Sequence, residues 1–130
     1  MLLDTSGLLC LLLKDEPRRD EAQALFDAAV EKVTHSYVVA ELIALATTRG
    51  LPRAVALEFA RAIQDSTEVE MVWVDEALHR EALTLLDHRA DKAWSLCDAV
   101  SFIVMRQRRI AEALTTDHHF EQAGFVRLLK

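Results

Sequence analysis

Short apolar runs of strand length alternate along this chain with stretches whose apolar residues recur every three or four positions. That alternation leaves few architectures open. Val69–Val74 is the plainest strand candidate, and Met1–Leu3, Lys32–His35, Ala111–Thr115 and Phe125–Leu129 read as further short strands. Between them the spacing predicts helices. One runs from Gly7 to about Lys14 behind Ser6 as its cap. A second opens at Pro17 and carries Ala22, Leu25, Phe26 and Ala29 on one face. Ser36 is positioned to cap a third, Tyr37–Thr48, which Gly50 stops, and Pro52 opens a fourth that reaches about Gln64. Asp75 caps the next. Ser95 precedes Leu96–Arg108 with Asp98 in capping-box spacing, and His118–Ala123 is a short last helix. Strands separated by helices pair in parallel, with helices covering both faces of the sheet.

The 130 residues suit one domain, 1–130, large enough to bury roughly two-thirds of the unfolded surface. At 52% hydrophobic, with 3 Gly and 2 Pro, the chain is neither disordered nor collagen-like. No apolar run approaches the roughly 18 residues of a membrane span. Met1-Leu2-Leu3-Asp4 places an acid where a signal peptide needs basic residues. A soluble, cytoplasmic protein with no membrane partner is expected. Cys10 and Cys97 sit among apolar residues and read as buried thiols rather than a disulfide. The net charge of −6 argues against a general nucleic-acid binder.

Four of the acids stand in unusual contexts. Asp4 and Asp117 follow strand candidates, and ligands of open parallel sheets collect beyond the carboxyl ends of strands. Asp98 lies in the first turn of a mostly apolar helix. Glu41 has Val39, Ala40 and Leu42 as neighbours. Singly, each has an ordinary reading as a cap, a turn former or a solvated acid. Together, four converging carboxylates would repel one another unless protons or cations neutralise them. Oxygen ligands without His or Cys favour Mg²⁺ or Mn²⁺, ions suited to phosphodiester hydrolysis.

The residues around these acids carry a resemblance. The segments are Asp4-Thr5-Ser6, Tyr37-Val38-Val39-Ala40-Glu41-Leu42, Trp94 to Phe102 around Asp98, and Ala113 to Phe125 around Thr115-Thr116-Asp117. They resemble, in order and spacing, the four signature blocks of the PIN-domain nucleases. Chain length matches the small members, the VapC-type toxins of bacterial toxin–antitoxin pairs. The last two blocks together are the specific ones, whereas Arg53 to Arg89 carries no family motif.

The resemblance implies a three-layer α/β/α fold with a central, mainly parallel sheet. It implies a divalent-metal-dependent endoribonuclease, a toxin that hydrolyses RNA with metal-activated water and leaves a 5′-phosphate and a 3′-hydroxyl. Asp4 and Asp98 are its firmest metal ligands, for Mg²⁺ or Mn²⁺. Glu41 and Asp117 complete the cluster, and the Ser6 and Thr115 hydroxyls steady it. No histidine base is required, so His118 and His119 read as helix-start residues beside the site. A cognate antitoxin and a homodimer are the implied protein partners.

Setting the four acids aside leaves −2 of the net charge. Arg49, Arg53, Arg106, Arg108 and Arg109 are the candidate RNA contacts, with solvated helix ends as the competing reading. Trp73 and Trp94 read as core residues rather than base-stacking platforms. Two other functions fit the same blocks: an RNA-processing nuclease without an antitoxin, and a non-catalytic binding module. An aspartyl phosphatase would need a second Asp where Ser6 stands. The RNA that is cut and the number of metal ions are not encoded in any motif.

Overall fold

The computed structural model describes residues 1–130. Its strands are β1 (Leu2–Leu3), β2 (Lys32–His35), β3 (Val69–Val72), β4 (Glu112–Leu114) and β5 (Val126–Arg127). All pair in parallel, in the order β3-β2-β1-β4-β5. The helices are α1 (Thr5–Leu12), α2 (Arg19–Ala28), α3 (Ser36–Thr48), α4 (Arg53–Asp65), α5 (Glu76–His88), α6 (Leu96–Arg108) and α7 (His119–Gln122). The expected α/β/α layering is observed.

Alternation along the central strands builds the layers. Leu3 and Leu114 join one apolar core with Leu8, Val38, Leu42, Ala56 and their neighbours from α1 to α4. Leu2 and Ala113 point the other way, into a second core with Ala82 of α5, Phe102 of α6 and Phe120 of α7. Successive strand side chains face opposite sides of a sheet, so each central strand is covered twice.

The chain winds from β1 outward to β3, then crosses back to add β4 on the other side of β1. Strand order therefore reverses between β1 and β4. A parallel sheet opens a crevice at that point, beyond the carboxyl ends of the strands. Asp4 and Thr115 follow those two ends directly.

Several expected boundaries shift. Helix α1 begins at Thr5 with Asp4 in the capping position, two residues before the expected Ser6. His35, not Ser36, caps α3, its Nδ1 accepting from the Val38 amide. Ser36 Oγ instead accepts from Val74 N at 2.9 Å. That contact draws the chain out of β3 after Val72 and leaves Trp73 64% exposed, so Trp73 is not the core residue its apolar run suggests. Trp94 is buried, edge-on to Phe102. Both cysteines are buried free thiols. No helix is long and apolar enough to cross a membrane.

Candidate active site

Asp4 leaves β1 with extended backbone and makes no side-chain capping bond to α1, so its carboxyl group faces the crevice. Its Oδ2 accepts from Thr115 Oγ1 at 2.7 Å and from Ser6 Oγ at 3.2 Å. Ser6 and Thr115 lie 3.0 Å apart, and each hydroxyl also accepts a backbone amide. Thr116 N donates to Ser6, and Asp117 N to Thr115. The residues after β4 are thereby bolted to the start of α1. Gly7 permits the close approach: a Cβ there would lie 2.0 Å from the Leu114 carbonyl oxygen.

Asp98 comes from the other core layer. Ser95 and Asp98 exchange hydrogen bonds at 3.0 Å in a complete capping box, as their spacing predicts. Asp98 Oδ2 accepts from the Ser95 amide and from His119 Nδ1 at 2.9 Å. Because a carboxylate accepts, His119 carries its proton on Nδ1. Asp117 Oδ1 accepts from His119 N at 2.9 Å, and its Oδ2 lies 3.4 Å from His119 Nδ1. Glu41, one turn into α3, is half-buried.

The electrostatics tie these groups together. Asp4 is 5% exposed and Asp98 6%. Burial, then the Asp98 and Glu41 charges, push Asp4 up from 3.8 to about 7, against the Thr115 hydrogen bond. Burial first, then Glu41, Asp4 and Asp98, drive the Cys97 thiol far above its ordinary range. Asp4, Glu41 and Asp98 therefore act on one another across three elements. No lysine or arginine pairs with any of the four acids; Asp98 pairs with His119, and Asp117 with His118 and His119.

This donor set fits a hard divalent cation. The hydrogen bonds of Asp4 and Asp98 fall on Oδ2 in each case, and neither Oδ1 receives one of them. Two buried, mutually repelling carboxylates with a free oxygen apiece are what Mg²⁺ or Mn²⁺ requires. Asp117, His118 and His119 also bring donor atoms within 4.8 Å of one another, adding nitrogen to the oxygen set.

A PIN domain profile matches residues 1–126. The chain belongs to the PIN domain family. PIN domains are nucleases acting on RNA phosphodiester bonds and generally use a divalent metal. This PIN domain is 32% identical over 127 residues to the 23S rRNA-specific endonuclease VapC20 of two Mycobacterium tuberculosis strains, covering 97% of this chain and 95% of theirs. The crystal structure of M. tuberculosis VapC20, described as a sarcin–ricin loop cleaving toxin, superposes with a TM-score of 0.89 at 31% identity. The match covers 99% of this PIN domain and 98% of that chain.

The arginines divide. Arg49 ends α3 and lines a cavity together with Ser6 and Thr116, close to the acids. Arg53 is exposed at the start of α4. Arg106, Arg108 and Arg109 lie at the far end of α6, about 15 Å along the helix from Asp98. Arg108 there pairs with Glu70. The structure does not bring those three to the acids. His119 is the residue that sequence reading undervalued. It is a helix-start residue as expected, and it also holds Asp98 in place. Its contact joins the starts of two helices 21 residues apart, and no local pattern signals that.

Proposed function

We propose that this PIN domain, residues 1–130, is the endoribonuclease toxin of a toxin–antitoxin pair. It works in the cytoplasm with Mg²⁺ or Mn²⁺ and is restrained by a cognate antitoxin. The observation that carries this reading is the pair of buried carboxylates, Asp4 and Asp98, each oriented through Oδ2 with Oδ1 left for a ligand. Likeness to VapC20 over nearly the whole chain supports the toxin assignment and makes ribosomal RNA the first substrate to try.

Asp4 and Asp98 would hold the cation, with Glu41 and Asp117 completing its shell directly or through water. The cation supplies a lowered water pKa and charge neutralisation at the phosphoryl oxygens. Thr115 and Ser6 fix the Asp4 carboxyl group and keep it from rotating into α1. Ser95 and His119 do the same for Asp98. The centre is acidic, so it admits a phosphodiester only when its charge is offset. This makes cleavage conditional on metal.

The test is incubation of total cellular RNA with purified protein, in Mg²⁺, in Mn²⁺ and in EDTA, beside the Asp98→Asn variant. Discrete cuts that need metal and disappear in Asp98→Asn are expected. Equal cutting by both proteins would overturn the site assignment, and no cutting under either metal would favour a binding module.

A further inference from the structure

We propose that the cavity on the Ser6 side of the acids receives a second phosphate of the bound RNA strand, next to the scissile one, with Arg49 as its ligand and Arg18 as the supporting cation. This rests on the ribonuclease reading above.

The cavity measures about 160 Å³, and Ser6, Cys10, Glu16, Arg18, Arg49 and Thr116 line it. Two of these belong to the catalytic frame: Thr116 N donates to Ser6 Oγ, which donates to Asp4. A strand lying across Asp4 thus has this cavity as its immediate neighbour. Arg18 and Arg49 line this cavity together, with the Glu16 carboxylate beside them.

The charges count in favour of a single anion. Arg18 lies 3.6 Å from Glu16 and donates to the Lys130 carbonyl oxygen, so its charge is largely answered. The arginines in ion pairs are Arg18, Arg80, Arg89, Arg108 and Arg127, and Arg49 is not among them. One surplus positive charge remains, and one phosphodiester carries one negative charge. A planar guanidinium meets phosphate oxygens in bidentate fashion.

The other cations near the centre are committed. Arg127, on the opposite side of Thr116, donates to Glu121 and to the Thr116 carbonyl oxygen. Four carboxylates repel RNA on approach, so a cation set to one side of them both recovers affinity and orients the strand.

The experiment uses the full chain with Asp98→Asn, so that the strand stays whole. A fluorescein-labelled single-stranded RNA is titrated by anisotropy across a KCl series at one fixed Mg²⁺ concentration. Adding Arg49→Gln should weaken binding about tenfold. It should also flatten the slope of log affinity against log salt by about 0.7, the share of one single-strand phosphate. Arg49→Lys should restore the slope and only part of the affinity. Arg106→Gln, at the far end of α6, should match the parent. Parent-like affinity and slope in Arg49→Gln would overturn the subsite, as would an equal loss in Arg106→Gln. Cleavage of total RNA by the chain with Asp98 intact separates the two readings. If that chain cleaves while the arginine variants bind normally, only the subsite falls. If it neither cleaves nor binds RNA, both fall.

Discussion

Asp4 and His35 answer pH in opposite senses. Asp4 is pushed up from 3.8 to about 7. Between those values the folded chain holds a proton that the unfolded chain has lost, so this term weakens the fold as pH rises. His35 is buried, with Nε2 2.8 Å from Ser101 Oγ and Nδ1 accepting from Val38 N, and burial lowers it from 6.5 to about 4. Between those values the unfolded chain holds the extra proton, so this term strengthens the fold as pH rises. One proton each way nearly cancels in the metal-free protein. Asp4→Asn removes one side of the balance. Its stability should then climb between pH 4.5 and 6.5, by up to about 3 kcal/mol at 1.4 kcal/mol per pH unit. Urea melts in EDTA at the two values measure this, and a variant with the wild-type slope would contradict it. The same variant should lose at least about 100-fold in RNA cleavage while keeping its far-UV spectrum, since the centre loses a ligand charge and no packing. Asp4, Asp98 and Asp117 could be singled out in the sequence because they stand where strands end or helices begin, whereas Glu41, inside α3, stood out only through its apolar neighbours and its block's family pattern. Which oxygen Asp4 and Asp98 leave free was not legible, because that depends on Thr115 and His119 arriving from elsewhere in the chain.

At the scale of elements, the site is set by how closely α1 lies on β4. A methyl group at Gly7 meets the Leu114 carbonyl, a backbone atom that no rotamer change moves aside. Gly7→Ala should cost about 3 kcal/mol and spread Asp4 from Thr115. Thermal melts report the first effect and loss of metal-dependent cleavage the second. Ser95→Ala tests the other frame. It removes only the bond from Asp98 N to Ser95 Oγ and leaves both bonds to Asp98 Oδ2, so it should cost about 1 kcal/mol of stability while cleavage stays near the wild-type rate. The Ser95–Asp98 cap and β2 were read correctly from spacing alone. The start of α1 was not, because Asp4 and Ser6 are both capping residue types and the apolar period begins only at Leu8. Tertiary contacts decided the other misreadings. His35 was taken up as a cap and Ser36 as an anchor for Val74, and that anchor turned Trp73 out to solvent.

For the whole molecule, Asp4 and Asp98 are acids buried without a lysine or arginine partner, so metal should stabilise the fold globally. Millimolar Mn²⁺ should raise the melting temperature, and more so at pH 8 than at pH 5, where Asp4 must first give up its proton. A shift that is equal at both values, or survives Asp4→Asn together with Asp98→Asn, would place the ion elsewhere. The alternation of strands and helices disclosed the layers and the parallel pairing. It did not disclose that β4 returns to the far side of β1, since periodicity says which face is buried and nothing about strand order. That return matters while the chain is being made. A chain synthesised as far as Arg89 holds Asp4 and Glu41 but neither Asp98 nor Asp117, and β1 still lacks the neighbour that Glu112–Leu114 will supply. On the proposed assignment, the centre is therefore short of two of its four acids until Asp98 and Asp117 have been added.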